Sequence, residues 1–159
     1  MAISEGDKLP SATMHMMKDG RPTAVTTDDL FAGKKVVLFA VPGAYTPTCS
    51  QAHLPGFVVN ADAIKAKGVD DIVCVSVNDA FVMDSWGNDK NADQLLMVGD
   101  GNGDFAKALG LEMDGSGFGL GTRSQRYAMI VDDGVVSKLN VEAAGEFDVS
   151  SAETVLAAL

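Results

Sequence analysis

Cys49 stands three residues after Thr46 and seven after Pro42, within the stretch VPGAYTPTCSQAHLPGF that spans 41–57. A cysteine can be an inert buried thiol, a metal ligand, half of a disulfide or a nucleophile, and its neighbours decide which. Here an apolar run ends at Pro42-Gly43, and helical spacing begins near Cys49. A sulfur in the first helical turn meets unpaired backbone N–H groups and the positive end of the helix dipole, both of which favour thiolate over thiol. Across the turn, the Thr46 hydroxyl can donate to that sulfur or to a bound oxygen. The Pro42 ring, which has no N–H, can exclude water without demanding a hydrogen bond, and Gly43 permits close backbone approach. The spacing therefore predicts a reactive nucleophile with a hydroxyl and a dry wall beside it.

Competing chemistries find less support. The chain has two cysteines, Cys49 and Cys74, and no CxxC pair, which argues against a dithiol oxidoreductase. His15 and His53 form no ligand cluster with Cys49, so no metal site is expected. Cys74 lies in the apolar run DIVCVSV and reads as an inert core thiol. His53 follows Cys49 by four residues and could share its helix face as a general base, but a structural hydrogen-bonding role is the better reading. The glycine-rich stretch from Gly115 to Gly121 lacks the Lys-Ser/Thr pair of a phosphate loop, and Asp132-Asp133 reads as a solvated turn.

The elements that must position these residues follow from periodicity. Lys35 to Val41 and Asp71 to Val77 read as strands buried on both faces, and Gln94 to Val98 as a third. From Cys49 to Lys67, the spacing of Leu54, Phe57, Val58, Ala61 and Ile64 predicts a helix that Pro55-Gly56 should kink or split, with Gly68 as its C-terminal cap. Asp79 to Asn88 reads as a short helix with Phe81, Val82 and Trp86 inward. Asp104 to Leu109 begins another helix, whereas DGSGFGLGTR reads as loop. RYAMIV, Asp132-Asp133-Gly134 and VVSKLNV form a hairpin signal, and Ser151 to Leu159 a closing helix. Strand and helix alternation followed by a hairpin predicts an α/β fold of the thioredoxin-like kind: a central mixed, mainly parallel sheet with helices on both faces.

Composition bounds the rest. The 159 residues, 47% hydrophobic and 21% charged, suit one domain spanning 1–159 with its own core. A formal net charge of −10 offers no basic stripe for nucleic acid, and no apolar run is long enough to cross a membrane as a helix. The first residues lack the basic and apolar regions of a secretory signal, so a soluble cytoplasmic protein is expected.

The spacing P-x-x-x-T-x-x-C, met as Pro42, Thr46 and Cys49, resembles the peroxidatic motif of peroxiredoxins. The longer string PGAYTPTCSQAHLPGF is similar to the Prx5-type subfamily, as are SVNDAFVMDSWG and RYAMIVDDGVV leading into LNVE. The matching segments run in order from about Gly33 to Glu142. The resemblance implies a thioredoxin fold and thiol-dependent reduction of hydrogen peroxide and alkyl hydroperoxides, with no metal, haem or flavin. It assigns the peroxidatic role to Cys49, with Pro42 and Thr46 as its motif partners. The family's distant arginine falls on Arg126, before Tyr127; Arg123 is the weaker candidate. The resemblance also implies a homodimer, with the Gly115 to Gly121 loop near its interface; Trp86 and Phe118 read as core or interface residues.

Some relatives of this type carry a second cysteine near the C-terminus. Here the region reads AAGEFDVSSAETVLAAL, with Ser150 and Ser151 and no cysteine. A one-cysteine variant is therefore expected, recycled by an external thiol: glutathione with glutaredoxin first, thioredoxin second. A peroxide-sensing module using the same cysteine without sustained turnover is the alternative.

Overall fold

The computed structural model describes residues 2–159. Among them, the strands β1 (Thr13–Lys18), β2 (Arg21–Thr26), β3 (Lys35–Ala40), β4 (Asp71–Ser76), β5 (Leu96–Gly99), β8 (Tyr127–Asp132) and β9 (Val135–Val141) build a seven-stranded sheet. Its order is β2-β1-β5-β4-β3-β8-β9. The pairs β3–β4 and β4–β5 are parallel, as the alternating pattern requires. The hairpin β8–β9 packs antiparallel against β3, and a second hairpin, β1–β2, extends the other side. The sheet is thus mixed but not mainly parallel as expected: two pairs are parallel and four antiparallel, because a hairpin extends each side of the parallel centre.

Burial on both faces explains the apolar strands. Val37, Phe39, Ile72, Cys74, Ala128 and Ile130 point to one side, where α2 (Leu54–Lys65), α3 (Ala80–Asp89) and α5 (Ala152–Ala158) cover them. Val36, Leu38, Ala40, Val73, Val75 and Met129 point to the other, beneath α1 (Thr27–Phe31) and α4 (Asp104–Leu109). Each fully buried aliphatic or aromatic side chain of this kind contributes roughly 1.5–3 kcal/mol. The layered arrangement is the thioredoxin-like α/β fold.

Local chemistry sets the boundaries. Asp133 and Gly134 both have positive φ (47° and 80°), the two-residue geometry that joins β8 to β9. Asp19-Gly20 does the same between β1 and β2, with φ of 51° and 77°. DGSGFGLGTR is more ordered than a loop: β6 (Glu112–Asp114) pairs with β7 (Thr122–Ser124) around a single 3₁₀ turn.

Two helical expectations need correction. The Asp79 carboxylate accepts from the Val82 N–H at 2.8 Å and so starts α3 at Ala80. That phase turns Ala80, Met83, Trp86 and Gly87 inward and leaves Phe81 58% exposed and Val82 half-buried. Pro55-Gly56 does not split its helix. Pro47 and Thr48 are already helical, Cys49–His53 form a π turn, and α2 continues through Pro55 to Lys65. The wide turn, in which the Leu54 N–H donates to the Cys49 carbonyl, takes up the irregularity just before the proline's missing donor.

Candidate active site

Strand β3 ends at Ala40, and the chain turns through Pro42 and Gly43 into the helix that carries Cys49. Thr46 precedes Pro47 at the helix start, a favoured place for proline because its absent N–H costs nothing there. The first closed turn is the Ser50 N–H to Thr46 carbonyl bond at 2.9 Å. The N–H groups of Thr48 and Cys49 therefore lie in the unpaired first turn. Between them and the sheet, Cys49 is fully buried.

Two side chains reach its sulfur. Thr46 Oγ1 lies 2.8 Å from Cys49 Sγ and 2.7 Å from the Gly43 carbonyl, and Arg126 Nη2 donates to Sγ at 3.1 Å. A hydroxyl has one proton, so Thr46 donates to only one of its two partners at a time. With a thiol present, S–H can donate to Oγ1 while Thr46 donates to Gly43. With a thiolate, the Thr46 proton turns onto sulfur. Arg126 arrives because β8 pairs antiparallel with β3, Ala40 opposite Tyr127, which puts Arg126 at the same sheet end as Pro42. Pro42, Thr46 and Cys49 meet across one loop and helix start, and Arg126, assigned to the site by the family resemblance, donates to the same sulfur.

Arg123 plays a different part. It donates to the Leu120 carbonyl at 3.0 Å and to the Pro42 carbonyl at 3.1 Å, tying the 115–121 loop to the loop before Cys49. Its guanidinium lies directly over Gly43. A Cβ on Gly43 would sit 2.6 Å from Arg123 Nη1 and 3.1 Å from Thr46 Cγ2, so a side chain here would require the Arg123 guanidinium to move. Tyr45, at φ 65°, occupies a strained left-handed conformation, held by its hydroxyl at 2.8 Å from Ser85 Oγ. The Ala44 N–H donates to Asn78 Oδ1, and Trp86 Nε1 donates to Ser50 Oγ at 2.8 Å.

His53 is also fully buried. Its Nδ1 lies 2.8 Å from Arg126 Nη1 and its Nε2 3.0 Å from the Ser150 carbonyl. Phe39, Phe57 and Phe147 surround the ring. Burial, together with the adjacent Arg126 guanidinium, lowers its pKa to about 3. A ring with both nitrogens committed and a neutral charge is no general base. Ser150 is held in turn by Glu142, whose Oε2 accepts from the Ser150 N–H, the Ser150 hydroxyl and the Asp148 N–H. Burial opposes the Glu142 charge, but the hydrogen bonds from Ser150, Asp148 and Val149 outweigh it and hold its carboxyl below the usual range. No role for Glu142, Phe147 or Ser150 was read from sequence; the fold brings Phe147 and Ser150 against His53, and Glu142 against Ser150.

A cleft of about 490 Å³ opens beside this constellation, lined by Pro42, Thr48 and Arg126 together with Met113, Phe118 and Glu142. Phe118 is 89% exposed and is no core residue, whereas Trp86 is fully buried. Cys74 lies buried in β4, where desolvation, aided by Cys49, pushes its thiol pKa up. Both cysteines are free. Among the described residues there is no group of three or more His, Cys, Asp or Glu placed to hold a metal ion, and no helix long and apolar enough to cross a membrane.

The site is thus a buried cysteine in the first turn of the helix after β3 of a thioredoxin-like sheet. A family model described as Redoxin matches residues 4–156. Peroxiredoxin-2E, chloroplastic, of Arabidopsis thaliana is 52% identical over 163 residues, covering 99% of this chain and 70% of the relative. Peroxiredoxin-2B of the same plant is 47% identical over 159 residues, covering 99% and 98%. The crystal structure of reduced Prx3 in complex with H2O2 from Vibrio vulnificus superposes with a TM-score of 0.95 at 62% identity, covering 98% of each chain. The chain belongs to the redoxin family and is a peroxiredoxin, a thiol-dependent peroxidase.

Proposed function

We propose that Cys49 is the peroxidatic residue and that the substrates are hydrogen peroxide and alkyl hydroperoxides. The observation that carries this reading is the placement of Sγ between Thr46 Oγ1 and Arg126 Nη2 at the unpaired start of a helix. The thiolate donates an electron pair to the terminal peroxide oxygen, and the O–O bond breaks as the S–O bond forms. The departing oxygen takes a proton and leaves as water or alcohol; Cys49 becomes a sulfenic acid. Charge moves onto two oxygens during this step, where Arg126, the Thr46 hydroxyl and the first-turn N–H groups can stabilise it. Pro42 shields the sulfur. The complex of Vibrio vulnificus Prx3 with hydrogen peroxide supports that substrate, and the partly apolar cleft leaves room for an alkyl group.

The sulfenic acid is resolved by a thiol from outside the chain, glutathione with glutaredoxin in first place and thioredoxin in second. The loop after Glu142 carries Ser150 and Ser151 and no cysteine, and Cys74 is enclosed in a central strand. The external thiol attacks sulfur with loss of water, giving a mixed disulfide that a second thiol reduces. The protein acts as a homodimer, with exposed Phe118 near the interface, and works in the cytoplasm, which suits its two unpaired cysteines.

Intact mass after one equivalent of peroxide and excess glutathione tests the scheme. A glutathione adduct on Cys49 is expected; a Cys49–Cys74 disulfide would overturn external resolution. Retention of full turnover by Cys49→Ser would overturn the assignment itself. Sedimentation of the wild type against Phe118→Glu checks the dimer, which the charge is expected to weaken.

A further inference from the structure

We infer that Asn78 is a positioning residue for the peroxidase reaction: its amide oxygen pins the Gly43–Ala44 peptide, whose carbonyl holds the Thr46 hydroxyl beside the Cys49 sulfur. Both contacts are made to one peptide plane. The Ala44 N–H donates to Asn78 Oδ1 at 2.9 Å, and on the opposite side of the plane the Gly43 carbonyl accepts from Thr46 Oγ1 at 2.7 Å. The same carbonyl accepts from the Thr46 N–H at 3.3 Å, so the backbone and the hydroxyl of Thr46 both hang from this one oxygen. Chemistry fixes which end of the amide faces the loop. Ala44 offers a backbone N–H, which an amide NH2 cannot accept, so the oxygen must be the partner. Ser76 Oγ donates to that oxygen as well, at 2.7 Å.

The loop has no local means of holding that plane. A peptide turns through the ψ of the residue before it and the φ of the residue after, and Gly43, without a Cβ, leaves the first of these open. Tyr45, next along, sits at φ 65°, a strained conformation that persists only where surrounding contacts over-determine it. Arg123 holds the preceding plane through the Pro42 carbonyl and leaves this one to Asn78. Asn78 is itself firmly set. It lies between the end of β4 at Ser76 and Asp79, whose carboxylate caps α3. Its backbone carbonyl packs so closely on β5 that a Cβ on Gly99 would lie 2.7 Å from it. Ser76 is fully buried and fixes the amide from the strand side. Because β3 and β4 are parallel, the loops that follow them leave the sheet at the same end, where one can hold the other. Without Asn78 Oδ1, the Gly43–Ala44 plane is free to turn over, its carbonyl leaves Thr46, and the hydroxyl loses its fixed place at sulfur.

The role of Asn78 rests on the reading that Thr46 serves the sulfur as peroxide is attacked, and the experiment separates the two. The second-order rate of the reduced protein with hydrogen peroxide is read on the alkaline plateau of its pH profile. The variants are Asn78→Leu, Asn78→Asp, Thr46→Val and the Asn78→Leu/Thr46→Val pair. Leucine keeps the bulk and removes the acceptor. Aspartate keeps an oxygen for both donors, and reading on the plateau keeps its added charge out of the protonation equilibria. Thr46→Val is expected to lose about 10²-fold in rate, the range for removing one charge-stabilising donor. Asn78→Leu should lose at least about tenfold, Asn78→Asp should stay within about threefold of wild type, and the pair should be no slower than Thr46→Val alone. A merely structural Asn78 would slow the reaction alike in both backgrounds. Should Asn78→Leu fail to fold, Asn78→Ala takes its place under the same criteria. A wild-type rate in Asn78→Leu, an Asn78→Asp as slow as Asn78→Leu, or a loss that adds fully to that of Thr46→Val overturns this role and leaves Thr46 its own. A wild-type rate in Thr46→Val overturns the Thr46 reading instead.

Discussion

Thr46 and Gly43 carry the sharpest consequences for single side chains. Thr46→Val keeps the shape but removes the proton that turns onto sulfur. Its peroxide rate should fall about 10²-fold or more, while Thr46→Ser retains most of it; stopped-flow kinetics decide this. Gly43→Ala sets a methyl carbon 2.6 Å from Arg123 Nη1 and 3.1 Å from Thr46 Cγ2. Arg123 must leave the Pro42 carbonyl, and the peroxide rate should drop although neither residue touches sulfur. Adding Arg123→Ala should relieve part of that loss, and a strictly additive double variant would refute the steric account. Pro42, Thr46 and Cys49 were legible in sequence because one turn relates them, so spacing alone fixes their meeting. Arg126 was legible only through resemblance, since its approach depends on the pairing of β8 with β3. The His53–Ser150 contact spans 97 positions and leaves no local trace.

Helices and hairpins were readable wherever a period or a turn residue governed them. Asp132-Asp133-Gly134 announced β8–β9, and Asp19-Gly20 carried the same signal for β1–β2, where it went unused. Phe81 was misplaced because periodicity fixes a helical stripe only after the starting residue is known, and the Asp79 cap sets that start one step away from the large aromatic. The π turn at Cys49–His53 was invisible: no composition distinguishes it from an ordinary turn ahead of a proline. For α3 the corrected phase makes a clear forecast. Phe81→Ala should change unfolding free energy by less than about 0.5 kcal/mol, whereas Trp86→Ala should cost roughly 3–5 kcal/mol. Urea titration of both variants measures the contrast. Trp86→Phe keeps most of the packing but strands Ser50 Oγ without its indole donor, loosening the turn beside Cys49.

For the molecule as a whole, acid should weaken the fold earlier than its carboxylates alone require. The His53 pKa falls from its ordinary 6.5 to about 3 on folding, with burial the chief cause and Arg126 the second. Between those values the unfolded chain binds a proton that the folded chain refuses. Stability is therefore intact above about 6.5 and is lost as pH falls toward 3, by roughly a few kcal/mol. Glu142, whose carboxyl is held below its usual range, adds a loss in the same direction at lower pH. Urea midpoints from pH 7 to 4 should fall, and His53→Asn should flatten the upper part of that slope. A slope unchanged in this variant would assign the effect elsewhere.

The contacts through Glu142 and Ser150 also order the protein in time. A chain leaving the ribosome has Pro42, Thr46 and Cys49 almost at once, gains Arg126 some 77 positions later, and acquires the anchor for His53 only at Ser150. Until Ser150 has been added, Cys49 of the nascent chain lies without the anchored imidazole that meets Arg126 in the folded protein.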